Sequence, residues 1–130
     1  GGMGVLMNNA ITGTYPSYRI GFENVLVSSG TLPEAKDAAV QVITGNSIQY
    51  SWTNNSGEGT AKASDKVILV AYFAAKNQLI YSLDAGKRVD GSAILNTDSL
   101  AGFTAETWIG FLSSDDQLAA NSIYTGSVVV

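Results

Sequence analysis

Histidine and cysteine are both absent from the 130 residues. Without cysteine there is neither a disulfide framework nor a thiolate metal site. Without histidine there is no Ser-His-Asp triad, no imidazole ligand and no imidazole proton shuttle. Any acid–base chemistry would have to be built from carboxylates or lysines. Charge is scarce too: 14% of the residues are Asp, Glu, Lys or Arg, against about 25% in an average soluble domain. The seven basic residues are scattered, with only Lys87 and Arg88 adjacent. No basic stripe follows a phosphate backbone, so nucleic acid is not an expected partner. The longest apolar runs, such as Val67–Ala71, are too short to span a membrane. The opening Gly1-Gly2-Met3-Gly4 has neither the charged start nor the apolar centre of a signal peptide. It reads as a tag remnant, a processing product or the limit of the ordered part of a longer chain.

What is present is apolar and extended. Hydrophobic residues make up 45% of the chain, enough for one domain of this length to bury a core without staples. Ser47 to Trp52 alternates, with Ile48, Tyr50 and Trp52 on one face, the pattern of a half-buried strand. Lys66 to Phe73 is apolar at nearly every position, as in a central strand covered on both faces. Further strands are expected at Tyr18–Phe22, Val25–Val27, Val40–Ile43, Leu79–Leu83, Arg88–Leu95, Thr107–Leu112 and Ser122–Val130. In Arg88–Leu95, Val89, Ala93 and Leu95 face inward; in the last strand, Tyr124, Val128 and Val130 share a face. Leu32 to Ala38 reads as a loop with room for one helical turn, and Met3 to Ile11 fits either a helix end or a strand. Seven to nine short strands with little helix predict an all-β, antiparallel sandwich of the immunoglobulin or fibronectin type. Residues 1–16 form a lead-in segment and 17–130 a single domain. Tyr50, Trp52, Trp108 and Phe111 are its expected core anchors.

Two loops carry the candidate chemistry. Asn54 to Asp65 is polar and punctuated by Gly57 and Gly59, as a turn requires. A calcium reading would use Asn54, Glu58 and Asp65, but the spacing is not that of an EF-hand loop, and hard cations want several carboxylates together. Asn54-Asn55-Ser56 also matches the glycosylation triplet. Asp115 and Asp116, in an expected hairpin over 113–117, are the remaining metal candidates. Neighbouring side chains in a turn usually diverge, so both loops read first as connections. No pair of carboxylates is marked out for hydrolysis. No catalytic residue, cofactor or metal ligand set is therefore assigned.

Four segments together resemble a known family: "NAITGTYP" (Asn9–Pro16), "VLVSSGTLP" (Val25–Pro33), "SWTNNSGEGTAKASDKVILVAY" (Ser51–Tyr72) and "FLSSDDQLAANSIYTGSVVV" (Phe111–Val130). They are similar to a large group of uncharacterised bacterial proteins, a domain of unknown function. The resemblance covers almost the whole chain. It implies the C-terminal sandwich part of proteins that carry a glycine-rich, basic leader before "NAITGTYP". It brings no catalytic residue with it.

The expected function is therefore non-enzymatic: a structural or interaction module in assembly or adhesion, on a cell surface or in a virion-like particle. Its partners would be other copies of itself or another protein, met through edge strands such as Ser127–Val130 or other surface contacts. The weakly charged polar surface favours an extracellular, cell-surface or virion setting over the cytoplasm. The alternative is a carbohydrate-binding module, with or without assistance from calcium, with Tyr15, Tyr18, Tyr81 and Trp108 as stacking candidates. A hydrolase using paired carboxylates ranks last.

Overall fold

The computed structural model describes residues 32–130. Seven strands follow in order: β1 (Lys36–Ile43), β2 (Ser47–Thr53), β3 (Lys66–Phe73), β4 (Gln78–Ser82), β5 (Ser92–Asn96), β6 (Thr104–Leu112) and β7 (Ile123–Val129). All pairings are antiparallel. They form a three-stranded sheet ordered β1-β2-β5 and a four-stranded sheet ordered β4-β3-β6-β7. The chain changes sheet after β2, after β4 and after β5, which makes a sandwich rather than a meander.

The period-two pattern decides which side chains meet between the layers. From β2 come Ile48, Tyr50 and Trp52, and from β5 come Ala93 and Leu95. Facing them are Val67, Leu69, Ala71 and Phe73 of β3 with Ala105, Ile109 and Phe111 of β6. Trp52 meets Phe111 edge-on, ring centres 5.8 Å apart. The Tyr50 hydroxyl crosses between the layers and donates to the Val70 carbonyl at 2.5 Å. Burial pushes its pKa far up, so it remains a neutral donor. In β3 the opposite face is buried as well, through Ile68, Val70 and Tyr72, as its unbroken apolar run requires.

Several elements differ from the sequence expectation. β1 starts at Lys36, inside the stretch read as a loop, and a register shift between Lys36 and Ala39 accommodates Asp37 at φ 53°. Arg88–Asp90 is a 3₁₀ turn ended by Gly91 at φ 75°, not the start of a strand, so β5 begins only at Ser92. Val89 is consequently exposed. Residue Thr125 is an extra residue in β7, opposite the step from Thr107 to Trp108. This β-bulge sends Tyr124 to the outer face while Val128 and Val130 point into the core. The Thr107 hydroxyl lies at the bulge, 2.6 Å from the Thr125 hydroxyl and donating to the Gly126 carbonyl at 2.8 Å. The expected strands at Tyr18–Phe22 and Val25–Val27, the Met3–Ile11 segment, the 16/17 boundary, Tyr15 and Tyr18 lie outside the described residues.

Candidate functional site

Three loops gather at one end of the sandwich: 54–65, 83–91 and 113–122. Their centre is Arg88, which has 0% of its surface exposed. A guanidinium is tolerated there only if its donors are used. Nε donates to Asp65 Oδ2 at 2.9 Å, Nη1 to Asn55 Oδ1 at 2.6 Å and Nη2 to the Pro33 carbonyl at 3.1 Å. The guanidinium lies 4.0 Å from the centre of the Phe111 ring, a cation–π contact. The backbone of Arg88 is held too: its N–H donates to the Asp65 carbonyl at 2.8 Å, and its own carbonyl accepts from Trp52 Nε1 at 2.9 Å.

This centre explains the polar composition of the 54–65 loop. Gly57 and Gly59 adopt φ 91° and 52°, folding the loop so that Asn55 turns inward. Asn55 Nδ2 donates to the Glu34 carbonyl and to Glu58 Oε1, both at 3.3 Å. Asn54 caps Ser56, accepting from its N–H at 3.0 Å and its hydroxyl at 2.5 Å. Asp65 Oδ2 also accepts from the Lys62 N–H at 2.9 Å. Asn54, Glu58 and Asp65 thus each serve a different local partner and do not converge. Among the described residues, no three acidic side chains are grouped as a metal site.

The second pair also separates. Asp115 Oδ1 accepts from the Ser113 hydroxyl at 2.6 Å and the Gln117 N–H at 3.1 Å. The Ser113 hydroxyl bond and then the Gln117 N–H hold its carboxyl below the usual aspartate range. Asp116 sits at φ 63° and turns away to pair with the Lys66 ammonium. The loop closes as a small hairpin, with Ser113 N–H donating to the Leu118 carbonyl at 2.8 Å and Ala120 N–H to Phe111 at 2.9 Å.

Two cavities flank the Arg88 cluster. A small one of about 70 Å³ is lined by Thr60, Lys62, Asp65, Ser113 and Asp115, among others. One acid from each candidate loop, Asp65 and Asp115, lines it. Asp65 Oδ1 is buried with no hydrogen-bond partner among the described residues, and the space is enough for a water. A larger cleft of about 400 Å³ lies between Lys66, Leu83, Asp84, Gly86, Lys87 and Asp90. Its acids are occupied: Asp90 Oδ2 accepts from the Lys87 N–H at 2.8 Å, and Asp84 Oδ1 from the Ser82 hydroxyl at 2.9 Å.

The aromatic candidates divide between two faces. Tyr50, Trp52 and Phe111 lie between the sheets. Trp108 is also buried, at 3% exposure, but on the other side of the four-stranded sheet, beside Tyr124 with ring centres 5.4 Å apart. Pairing aligns Tyr81, Val70, Trp108 and Tyr124 in one row across the four strands. At the end of that row the Tyr124 hydroxyl donates to Glu106 Oε1 at 2.5 Å, and Ser127 donates to Glu106 Oε2 at 2.7 Å. Buried Trp108 cannot serve as a stacking platform for a sugar.

Sequence reading did not single out Arg88. It stood beside Lys87 in an ordinary basic pair, and only the fold brings Asn55 and Asp65 to it. The usable signal was the scarcity of charge: in such a chain, an Arg next to Val89 needs an acid, and Asp65 precedes the most buried strand.

A protein-family model described as a family of unknown function (DUF6266) matches residues 1–126. No protein of curated function matches the chain.

Proposed function

The chain belongs to DUF6266, a family of unknown function, and from that premise we propose a non-enzymatic sandwich module that acts in assembly or adhesion by packing against protein chains, including copies of itself. The observation that carries this reading is the composition of the outer strands. Three of the four edge strands, β4 (QLIYS), β5 (SAILN) and β7 (IYTGSVV), contain no charged residue, and only β1 carries charge, at Lys36 and Asp37, although charge is the usual means of keeping strand edges apart. The β1-β2-β5 and β4-β3-β6-β7 arrangement supports kinship with immunoglobulin- and fibronectin-type modules. An extracellular, cell-surface or virion-like setting accords with that use.

The polar end supports a structural role over catalysis. Asp65 is engaged by Arg88 and Asp115 by Ser113. Glycoside hydrolysis needs one acid kept protonated near neutrality, and Asp115 is shifted the opposite way. Light scattering over a wide concentration range tests the proposal. Mass rising with concentration supports it, and a strict monomer in the most concentrated sample refutes it.

A second reading rests on Tyr124, which is 53% exposed beside Glu106 and Ser127. An exposed ring flanked by a carboxylate and a hydroxyl is the composition of a sugar subsite. A glycan array read with and without chelator tests it. Retention of a glycan that Tyr124→Ala abolishes supports this reading, and silence in both conditions removes it.

A further inference from the structure

Independently of either functional reading, we propose that the small cavity beside Arg88 is a seat for one hard divalent cation of calcium's size, held jointly by the 54–65 loop and the 113–117 hairpin. The ligand sets expected from the sequence fail because each draws its acids from a single loop. Across the two loops the oxygens come together: Asp65, Ser114 and Asp115 all line one cavity of about 70 Å³.

One carboxylate oxygen carries the proposal. Asp65 is 1% exposed, and its two oxygens are used unequally. Oδ2 accepts from Arg88 Nε and from the Lys62 N–H, both at 2.9 Å. Oδ1 is buried with no hydrogen-bond partner among the described residues. An unpaired carboxylate oxygen at that depth is costly unless a ligand meets it. With Oδ2 turned to Arg88, Oδ1 is the oxygen that Asp65 has left for the cavity.

Two more oxygen donors on the lining have capacity to spare. Asp115 uses Oδ1 for the Ser113 hydroxyl and the Gln117 N–H, and its Oδ2 bonds to no described residue. The Ser114 hydroxyl bonds to none either. Both residues are exposed whereas Asp65 is buried, so an ion has a way in from solvent to Asp65. Two carboxylates and a hydroxyl are the hard donors that calcium takes, and water completes its shell of about six to eight oxygens. The cavity has room for the ion and bound water.

Charge sets the strength. Arg88 already compensates Asp65, so Asp115 supplies the net negative charge at the seat. Lys62 also lines the cavity but is exposed, and its flexible stem can keep the ammonium in water. The net charge of −4 draws cations toward the chain. One uncompensated carboxylate and a largely aqueous shell place the site among weak calcium sites, with Kd about 10⁻⁴–10⁻³ M. A bound ion would bridge the two loops.

Thermal unfolding of the chelator-treated chain, titrated with CaCl₂ to about 10 mM against NaCl of equal ionic strength, tests the seat. Calcium is expected to raise the melting temperature beyond the effect of NaCl, with half-saturation in the range above. Asp115→Asn is expected to weaken calcium about tenfold or more, and Ser114→Ala to weaken it less. Asp116→Asn, whose carboxylate turns away to Lys66, is expected to leave it unchanged. Ser114→Ala decides where Asp115→Asn fails to fold. A calcium effect no larger than that of NaCl overturns the proposal. So does an effect that Asp115→Asn and Ser114→Ala leave intact, or one that Asp116→Asn weakens equally.

Discussion

Replacing Arg88 by Met is the sharpest perturbation of the polar end. The substitution keeps most of the side-chain volume under Phe111 and removes every guanidinium donor. Asp65 then loses its ion-pair partner at 1% exposure, and Asn55 Oδ1 and the Pro33 carbonyl lose theirs. Breaking a buried pair from one side costs about 3–5 kcal/mol, because a charge is left without compensation. Against a total stability of about 5–15 kcal/mol, that is a large share. For a domain of this size it corresponds to a melting temperature lower by roughly 10–20 °C. The pair is also coupled. Adding Asp65→Asn to Arg88→Met removes the orphaned charge and recovers part of the loss, a coupling of about 0.5–3 kcal/mol in a double-mutant cycle. Urea unfolding of the four proteins measures it. A single Arg88→Met variant within about 1 kcal/mol of wild type, or strictly additive effects, would refute the reasoning.

Two further outcomes follow from the same contacts. Trp52→Phe strips the donor from the buried Arg88 carbonyl and is expected to cost about 1–3 kcal/mol, whereas Trp108→Phe removes an indole N–H that is buried with no partner among the described residues and is expected to cost less than Trp52→Phe; paired thermal melts decide, and equal losses contradict the assignment. The depressed Asp115 carboxyl contributes stability that is full above the ordinary aspartate value of 3.8 and is lost as pH falls through its lower folded value. The melting-temperature gap between wild type and Asp115→Asn should therefore close in acid, and a gap that widens there would contradict the Ser113 cap.

The extended core was legible because period and composition agree locally. β3 was bounded correctly as Lys66–Phe73, and the buried face of β2 was read from Ile48, Tyr50 and Trp52. What escaped the sequence depends on distant contacts or on one inserted residue. Tyr124 was placed with Val128 because alternation cannot reveal a bulge, and Thr125 shifts everything before it. Arg88 looked like a strand start because it precedes Val89, and its true partners lie 33 and 23 residues away in sequence. From Trp108 to Leu112 both faces of β6 are apolar, so periodicity marks Trp108 for burial without saying on which side of the sheet. The 54–65 loop looked able to bind a ligand because the residues that cage an internal cation are the same residue types that bind external ones.

Amide hydrogen exchange at low and high protein concentration addresses the central proposal, that this sandwich works by packing against other protein chains. The account predicts slower exchange at high concentration in at least one of the edge strands β4, β5 and β7, with the Arg88 end unchanged. Identical exchange everywhere at both concentrations, in a sample that stays monomeric, would contradict it.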